Sequence, residues 1–262
     1  MNKQIVKDTN QQLLAGNKGL LAMDESTGTY NKRFAAAGIP QTVEMRRKYR
    51  ELIVTTPGLN ESIGGAILYD ETIRQQTKDG VPMANVLVKA GIIPGIKVDT
   101  GAKPMASFPN EKVTEGLDGL RERLAEFKKM GARFAKWRGV IAIGDYIPTT
   151  ACIKANVHAL ARYAALCQEA GIVPIVEPEV LMTGDHTIQR CYDVTEKVLK
   201  ILFNQLYQFK IDLEGMIFKP NMVIAGTGST NQNSIDEVAE ATVNCLLASV
   251  PASMPAIAFL SG

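Results

Sequence analysis

Short apolar runs recur along the chain, and a longer amphipathic stretch separates each run from the next. Seven such runs are present: GLLAM (19–23), GAILY (65–69), GIKV (95–98), FAKW (134–137), VPIVEPE (173–179), GMIFKP (215–220) and AIAFL (256–260). Their centres lie roughly 30 to 47 residues apart, which is typical of βα units, because parallel strands need a long crossover and hairpins do not. The pattern predicts seven parallel strands with helices between them.

Several of the amphipathic stretches carry residues that favour helix termini. The stretches 116–131 and 152–171 both end in glycine, which readily takes the left-handed conformation that closes a helix. Ser234 and Glu237 have the spacing of a capping box, which marks the first turn of a helix. These signals predict helices in the intervals between the strands.

Seven βα units fit either an open doubly wound sheet or a barrel. The glycine fingerprint of a dinucleotide-binding sheet is missing, and seven units are nearly the set of eight that closes a barrel. We therefore predict an α/β fold of the (β/α)8 TIM-barrel type, with residues 1–262 forming one domain. Because the seventh predicted strand reaches the last residues, the eighth strand and the C-terminal tail are expected to be absent, as in part of a longer protein.

The charge balance excludes several classes of partner. The 29 Lys and Arg residues nearly balance the 27 Asp and Glu residues, for a formal net charge of +2, and no basic block suits a nucleic acid. The first residues lack the apolar segment of a signal peptide, and no apolar run is long enough to span a bilayer. A cytoplasmic protein that binds neither nucleic acid nor membrane is expected.

The cysteines and histidines argue against a metal site. Four cysteines lie far apart in the sequence, at positions 152, 167, 191 and 245, and match no zinc-binding or disulfide pattern. Only two histidines are present, so a catalytic zinc site rich in histidine is not expected. We predict reduced, buried cysteines and no histidine-rich catalytic metal site.

Ionisable residues interrupt five of the predicted strands at or near their C-terminal ends. They are Asp24, Lys97, Lys136, Arg138, Glu177, Glu179 and Lys219. Strands buried on both faces are normally apolar throughout, so these residues need an explanation. In a barrel the C-terminal ends of the strands form the active site, which would bring all of these groups to one mouth.

Buried lysines and carboxylates must neutralise one another or change protonation state. A lysine that lies in apolar surroundings near another cation is less basic, and its neutral amine can attack a carbonyl while carboxylates move protons. A purely structural ion-pair network is the alternative for any one pair, but so many charged strand ends favour a reactive site. These considerations do not decide whether Lys97, Lys136 or Lys219 is the nucleophile.

Eight ordered motifs, which together run from about residue 10 to the last residue, resemble class I fructose-bisphosphate aldolases. They are LLAMDESTGTYNKR (20–33), GIKVD (95–99), FAKWR (134–138), GIVPIVEPEVL (171–181), GDH (184–186), CYDVTEKVL (191–199), FKPNMV (218–223) and FLSG (259–262). The resemblance implies reversible cleavage of fructose 1,6-bisphosphate to dihydroxyacetone phosphate and glyceraldehyde 3-phosphate through a lysine Schiff base, in glycolysis and gluconeogenesis. It also implies a sugar-phosphate substrate, no cofactor and a homotetramer.

Five positions resemble the family's catalytic residues. Lys219 matches the amine that forms the Schiff base, and Lys136 the cation that favours the neutral form of that amine and stabilises substrate charge. Glu177 matches the acid/base that dehydrates the carbinolamine, and Glu179 its supporting carboxylate. Asp24 matches the carboxylate that contacts substrate hydroxyls and assists carbon–carbon cleavage.

A second group of positions resembles the family's phosphate-binding residues. They are Lys97 and Arg138 on the C6-phosphate side, Ser26, Thr29, Lys32 and Arg33 in the first loop, and Ser261 and Gly262 at the start of the C1-phosphate loop. Family members continue with a further strand that carries a phosphate-binding arginine and with a tail that ends in a catalytic tyrosine. Without them, we expect the Schiff-base residues to be retained but substrate affinity and turnover to be reduced.

Two other functions remain as alternatives. A lysine-dependent barrel aldolase for a smaller sugar phosphate would share the mechanism, but two opposed phosphate clusters favour a bisphosphate. An inactive scaffold or cytoskeleton-binding protein would keep only the fold. The retention of Lys219, Glu177 and Lys136 argues against a complete loss of chemistry.

Overall fold

The computed structural model describes residues 3–259 and has a curled, parallel six-stranded sheet at its centre. The strands are β1 (Gly19–Met23), β2 (Ile63–Leu68), β3 (Ile93–Lys97), β4 (Ala102–Pro104), β5 (Lys112–Thr114), β6 (Phe134–Ile141), β7 (Val173–Val180) and β8 (Ile217–Phe218). The large sheet has the order β1-β2-β3-β6-β7-β8, and every neighbouring pair in it is parallel. The predicted α/β fold with parallel strands is confirmed.

Helices fill the intervals between the strands. They are α1 (Lys3–Leu13), α2 (Thr27–Ala36), α3 (Val43–Val54), α4 (Leu59–Ser62), α5 (Asp70–Ile73), α6 (Met83–Lys89), α7 (Leu120–Lys129), α8 (Thr150–Ala170), α9 (Ile188–Gln208) and α10 (Ile235–Ser249), with a 3-10 turn at Leu213–Gly215. Gly171 closes α8 with a φ of 69°, and the capping box of Ser234 and Glu237 begins α10. The predicted glycine end of α8 and the predicted capping box of α10 are confirmed.

The seventh predicted strand, 256–260, is wrong over the residues that the structure describes. Phe218 and Ile257 form a single parallel bridge, in which the Phe218 N–H donates to the Ala256 carbonyl at 3.1 Å. The Ala258 N–H donates back to the Phe218 carbonyl at 2.9 Å. The next donor in such a ladder would belong to Pro220, which has no N–H, so the pairing stops after one bridge.

A two-stranded antiparallel hairpin, β4 and β5, was not predicted. Each strand has only three residues, which is too short for a periodic pattern to be recognised. Ser107 and Asn110, in the connecting loop, both have positive φ values. The hairpin covers the start of α8, where the Glu111 carboxylate accepts hydrogen bonds from the Thr149 N–H and hydroxyl at 2.7 and 2.6 Å.

The core has two apolar clusters. The larger lies between the sheet and the outer helices, and the smaller includes Val6 and Leu13 of α1, which contact strand side chains such as Phe134. A side chain at Gly95 would lie 2.3 Å from the Phe134 ring, so only glycine fits beside it. No helix between residues 3 and 259 has both the length and the apolar character needed to cross a membrane.

Candidate active site

A chain of buried charges links four strands of the large sheet, β8, β7, β6 and β1. Lys219, directly after β8, donates to Oε1 of Glu177 on β7. The other oxygen of Glu177 lies 3.3 Å from Nζ of Lys136 on β6, and Lys136 donates to Oδ2 of Asp24 at 2.9 Å. The structure therefore brings together four of the five predicted catalytic residues, with Glu177 between two lysines.

All four side chains of this chain are at least nine-tenths buried. Burial by itself lowers the pKa of Lys136, but the charges of Asp24 and Glu177 outweigh it, so its pKa lies above the ordinary value. Lys136 is therefore a permanent cation at neutral pH. Glu177 is positioned to exchange a proton with Lys219 beside that fixed positive charge.

The fifth predicted catalytic residue, Glu179, belongs to a second group of charges. Its carboxylate pairs with Nε of Arg138 on β6. Lys97, at the end of β3, pairs with the Asp99 carboxylate, which also accepts from the Gly101 N–H at 3.1 Å and the Arg138 N–H at 3.3 Å. Lys97 and Arg138, the two predicted C6-phosphate residues, are thus held on neighbouring strands by one carboxylate.

A cavity of about 1020 Å³ opens beside these groups. Its lining includes seven predicted site residues: Asp24, Ser26, Thr29, Arg33, Lys97, Lys136 and Arg138. A volume of this size accommodates a small phosphorylated ligand. Lys219, Glu177 and Glu179 do not line it, and Lys219 connects to it through Glu177 and Lys136.

The first loop places its residues by capping α2. The Ser26 hydroxyl accepts from the Thr29 N–H at 3.3 Å and lies 3.1 Å from the Thr29 hydroxyl. Arg33, one turn further along, pairs with Glu25. Lys32 is exposed and does not line the cavity. Ser261 and Gly262 lie outside the described residues.

Sequence reasoning missed Asp99 and Glu25, whose carboxylates hold Lys97 and Arg33. Asp99 follows Lys97 by two residues, so the alternation of an extended chain could have placed both side chains on one face. Glu25 adjoins Asp24, and nothing in the local pattern separates their roles. Only the fold shows that Glu25 meets Arg33 and Asp24 meets Lys136.

A family model described as fructose-bisphosphate aldolase class-I matches residues 5–262. The chain belongs to the class I fructose-bisphosphate aldolase family. This confirms the family predicted from the sequence motifs. It leaves the roles of the individual site residues as predictions.

Relatives from distant organisms agree with this membership. A fructose-bisphosphate aldolase class 1 from Xanthomonas campestris is 60% identical over 262 residues, which cover 100% of this chain and 78% of the relative. Fructose-bisphosphate aldolase B of Oryctolagus cuniculus is 45% identical over 261 residues, which cover 99% of this chain and 72% of the relative. The chain therefore spans about three quarters of the length of these aldolases.

A solved structure confirms the fold class. The fructose-bisphosphate aldolase of Plasmodium falciparum, in complex with TRAP and a small-molecule inhibitor, superposes with a TM-score of 0.96 at 46% identity. The match covers 99% of this chain and 76% of that one. The six-stranded sheet is thus part of an aldolase TIM barrel.

Proposed function

We propose that this aldolase cleaves fructose 1,6-bisphosphate reversibly to dihydroxyacetone phosphate and glyceraldehyde 3-phosphate, through a Schiff base on Lys219. The observation that carries the proposal is the position of Glu177 between Lys219 and Lys136, both buried. Only a neutral amine can attack a ketone. A carboxylate that contacts the amine, beside a second lysine that stays charged, provides the acceptor for the proton that the amine must lose.

The first half of the reaction forms the iminium. The Lys219 nitrogen adds to the C2 carbonyl of the sugar, and the carbonyl oxygen takes up a proton to give a carbinolamine. Glu177 then donates a proton to the departing hydroxyl, which leaves as water while a carbon–nitrogen double bond forms. The positive charge of that bond replaces the carbonyl as the electron acceptor.

The second half breaks the bond between C3 and C4. The C4 hydroxyl loses its proton, the C3–C4 electrons move toward the iminium, and glyceraldehyde 3-phosphate leaves with its new carbonyl. Asp24, which is hydrogen-bonded to Lys136, is the carboxylate assigned to the substrate hydroxyls at this bond. Protonation of the enamine at C3 and addition of water release dihydroxyacetone phosphate and restore Lys219.

The remaining predicted site residues would hold the phosphates. Lys97 and Arg138 are assigned to the C6-phosphate side, and Ser26, Thr29, Lys32 and Arg33 to the first loop. Glu179, which the sequence predicts to support Glu177, forms an ion pair with Arg138. Ser261 and Gly262 keep their sequence-based assignment to the C1-phosphate loop. Because the cations Lys97, Arg138 and Arg33 are already paired with carboxylates, an incoming phosphate must share or replace those partners.

Trapping with borohydride tests the proposal directly. The chain is incubated with fructose 1,6-bisphosphate in the presence of a chelator, reduced, and examined by intact-mass and peptide mass spectrometry. A single adduct on Lys219 is expected, and Lys219→Met should remove it. An adduct that disappears with the chelator, or that falls on Lys97 or Lys136, would contradict the assignment.

A version extended through the C-terminal segment of the relatives is the matched comparison. An adduct in the extended version alone would mean that the 262-residue chain lacks a group needed for Schiff-base formation. The absence of an adduct in both would overturn the proposed activity.

The family resemblance also leads us to propose a metal-independent lyase that works in the cytoplasm as a homotetramer. The chelator in the trapping experiment tests metal independence. Light scattering on the purified protein tests the tetramer, and a mass of one or two chains would contradict it.

A further inference from the structure

A second buried ionic cluster lies outside the proposed catalytic residues. Glu71 of α5 accepts two hydrogen bonds from Arg46 of α3, from Nη2 at 2.8 Å and from Nε at 3.0 Å. It also accepts from Nη1 of Arg50 at 2.6 Å. Arg46 is 4% exposed and Arg50 is 0% exposed, so one carboxylate balances two buried guanidinium groups.

The cluster extends from α3 to α2. Nη1 of Arg46 donates to Oδ1 of Asn31 at 2.9 Å and to the carbonyl of Gln41 at 3.3 Å. The Thr27 hydroxyl, in the first turn of α2, lies 3.4 Å from Oε2 of Glu71. Glu71 therefore contacts both ends of the segment 27–41, which precedes α3. It contacts Thr27 directly and Gln41 through Arg46.

The buried aromatic side chains of α2 contact α3. Its buried side chains, Tyr30 and Phe34, stack edgewise on Tyr49 of α3, with ring centroids 5.6 and 5.8 Å from that of Tyr49. Neither belongs to the two apolar clusters of the core in the described part of the chain. Because the buried aromatic side chains of α2 contact α3, the hydrogen bonds from Arg46 and to Glu71 are further links that fix the position of α2.

We propose that Glu71 is a positioning residue, which acts through Arg46 and Asn31 to hold α2 where Thr29 and Arg33 face the substrate cavity. Thr29 and Arg33 line the cavity, whereas Glu71, Arg46 and Asn31 do not. Because Thr29 and Arg33 are phosphate contacts only under the proposed function, the effect on substrate rests on that function. The effect on α2 does not.

Asn31 provides the sharpest test, because it is the residue of α2 that accepts a hydrogen bond from Arg46 and it is only partly buried. Asn31→Ala removes the acceptor for Arg46 and leaves the Glu71–Arg46–Arg50 contacts in place. Asn31→Asp keeps an acceptor at the same position. Ala36→Ser, at an exposed position on the same helix, serves as the control.

Two measurements distinguish positioning from a structural role. Hydrogen exchange of residues 27–36 in the empty protein should be faster in Asn31→Ala, unchanged in Ala36→Ser, and restored in Asn31→Asp. The concentration of fructose 1,6-bisphosphate that half-saturates borohydride trapping should rise about fivefold in Asn31→Ala, the change expected for the loss of one ordinary hydrogen bond. The maximal adduct should not change, because Lys219 and Glu177 are untouched.

An apolar triple variant separates stability from position. Replacement of all three charges, as Glu71→Leu with Arg46→Met and Arg50→Met, removes the buried ions together and is expected to fold, because apolar groups of similar volume replace ion networks well. In the triple variant, hydrogen exchange in α2 should again be faster than in the wild type. The half-saturating concentration of fructose 1,6-bisphosphate should again be higher. Wild-type exchange in this variant would overturn the role of Glu71, and wild-type exchange in Asn31→Ala would overturn the link through Asn31.

The two failures are distinguishable. No adduct on wild-type Lys219 would overturn the proposed activity, while the exchange measurement would still test the link to α2. Faster exchange in α2 without any change in half-saturation would show that Thr29 and Arg33 do not contact substrate, and it would overturn the functional part of the inference.

Discussion

Two carboxylates in this protein each lie between two buried cations, but with different partners. Glu177 contacts Lys219 and Lys136 at the mouth of the barrel, and Glu71 contacts Arg46 and Arg50 between helices. A lysine can lose its proton and become a nucleophile, whereas an arginine stays charged at any physiological pH. Under the two roles proposed here, the type of cation therefore separates a reactive site from a positional one.

The surroundings of Glu177 and Glu71 also differ. Lys136 of the lysine pair contacts Asp24 and lines the cavity of about 1020 Å³, and Lys219 connects to that cavity through Glu177. Arg50 instead lies against the Tyr30 ring, 4.9 Å from its centroid, and its Nε and Nη2 have no hydrogen-bond partner among the described residues. Removing Glu71 would leave these guanidinium groups buried without a counter-charge.

The largest effect is expected when the lysine beside Glu177 is replaced by arginine, the type of cation that lies beside Glu71. Lys219→Arg keeps the positive charge beside Glu177, but a guanidinium cannot form an imine. We expect Schiff-base trapping to fall about a thousandfold or more. The melting temperature should stay close to that of the wild type. Mass spectrometry after borohydride reduction measures the amount of trapped Schiff base. An adduct on any other lysine would contradict the assignment of Lys219 as the nucleophile.

Removal of the carboxylate from the arginine site should mainly affect stability. Glu71→Gln leaves two buried guanidinium groups without a negative partner, and we expect it to lower the free energy of unfolding by about 3 kcal/mol at pH 7. Denaturant unfolding followed by circular dichroism measures this. A loss below about 1 kcal/mol would show that solvent reaches the pair and screens it.

The same substitution should change how stability depends on pH. Hydrogen bonds from Arg46 lower the pKa of Glu71 from 4.5 to about 2, against the opposing effect of burial. A lowered folded-state pKa contributes stability that is present above about pH 4.5 and is lost as the pH falls toward 2. The difference between wild type and Glu71→Gln should shrink by about 2 kcal/mol between pH 6 and pH 3. A constant difference would show that the pKa of Glu71 is the same in the folded and unfolded states, so that Arg46 does not lower it.

The smallest effect is expected where an ion pair is exposed. Arg121 and Glu169 form an ion pair at 2.6 Å, but their side chains are 65% and 56% exposed. Surface pairs of this kind are screened by water and salt, so Arg121→Gln should not change the melting temperature measurably. If Arg121→Gln destabilised the protein as much as Glu71→Gln, burial would not account for the difference between the exposed Arg121–Glu169 pair and the Glu71 cluster.

The apolar runs predicted the strands well because a buried parallel strand leaves its mark on neighbouring residues. They failed at 256–260, where the missing N–H of Pro220 limits the ladder, and at the hairpin β4–β5, whose strands are too short to show a period. The charged strand ends predicted a cluster of ionisable groups, and the structure brings Asp24, Lys136, Glu177 and Lys219 together, while their roles stay predictions. They did not predict that Asp99 joins Lys97 to the backbone of Arg138.

The sequence by itself determined the parallel α/β architecture, the family and the residues with reactive groups, because these depend on local periodicity and on motifs a few residues long. Tertiary structure alone decided the partners. Asp24 meets Lys136 across 112 positions and Glu177 meets Lys219 across 42, while Glu71 meets Arg46 across 25. No local pattern encodes such pairs, because they form only where strand ends and helices converge and water is excluded.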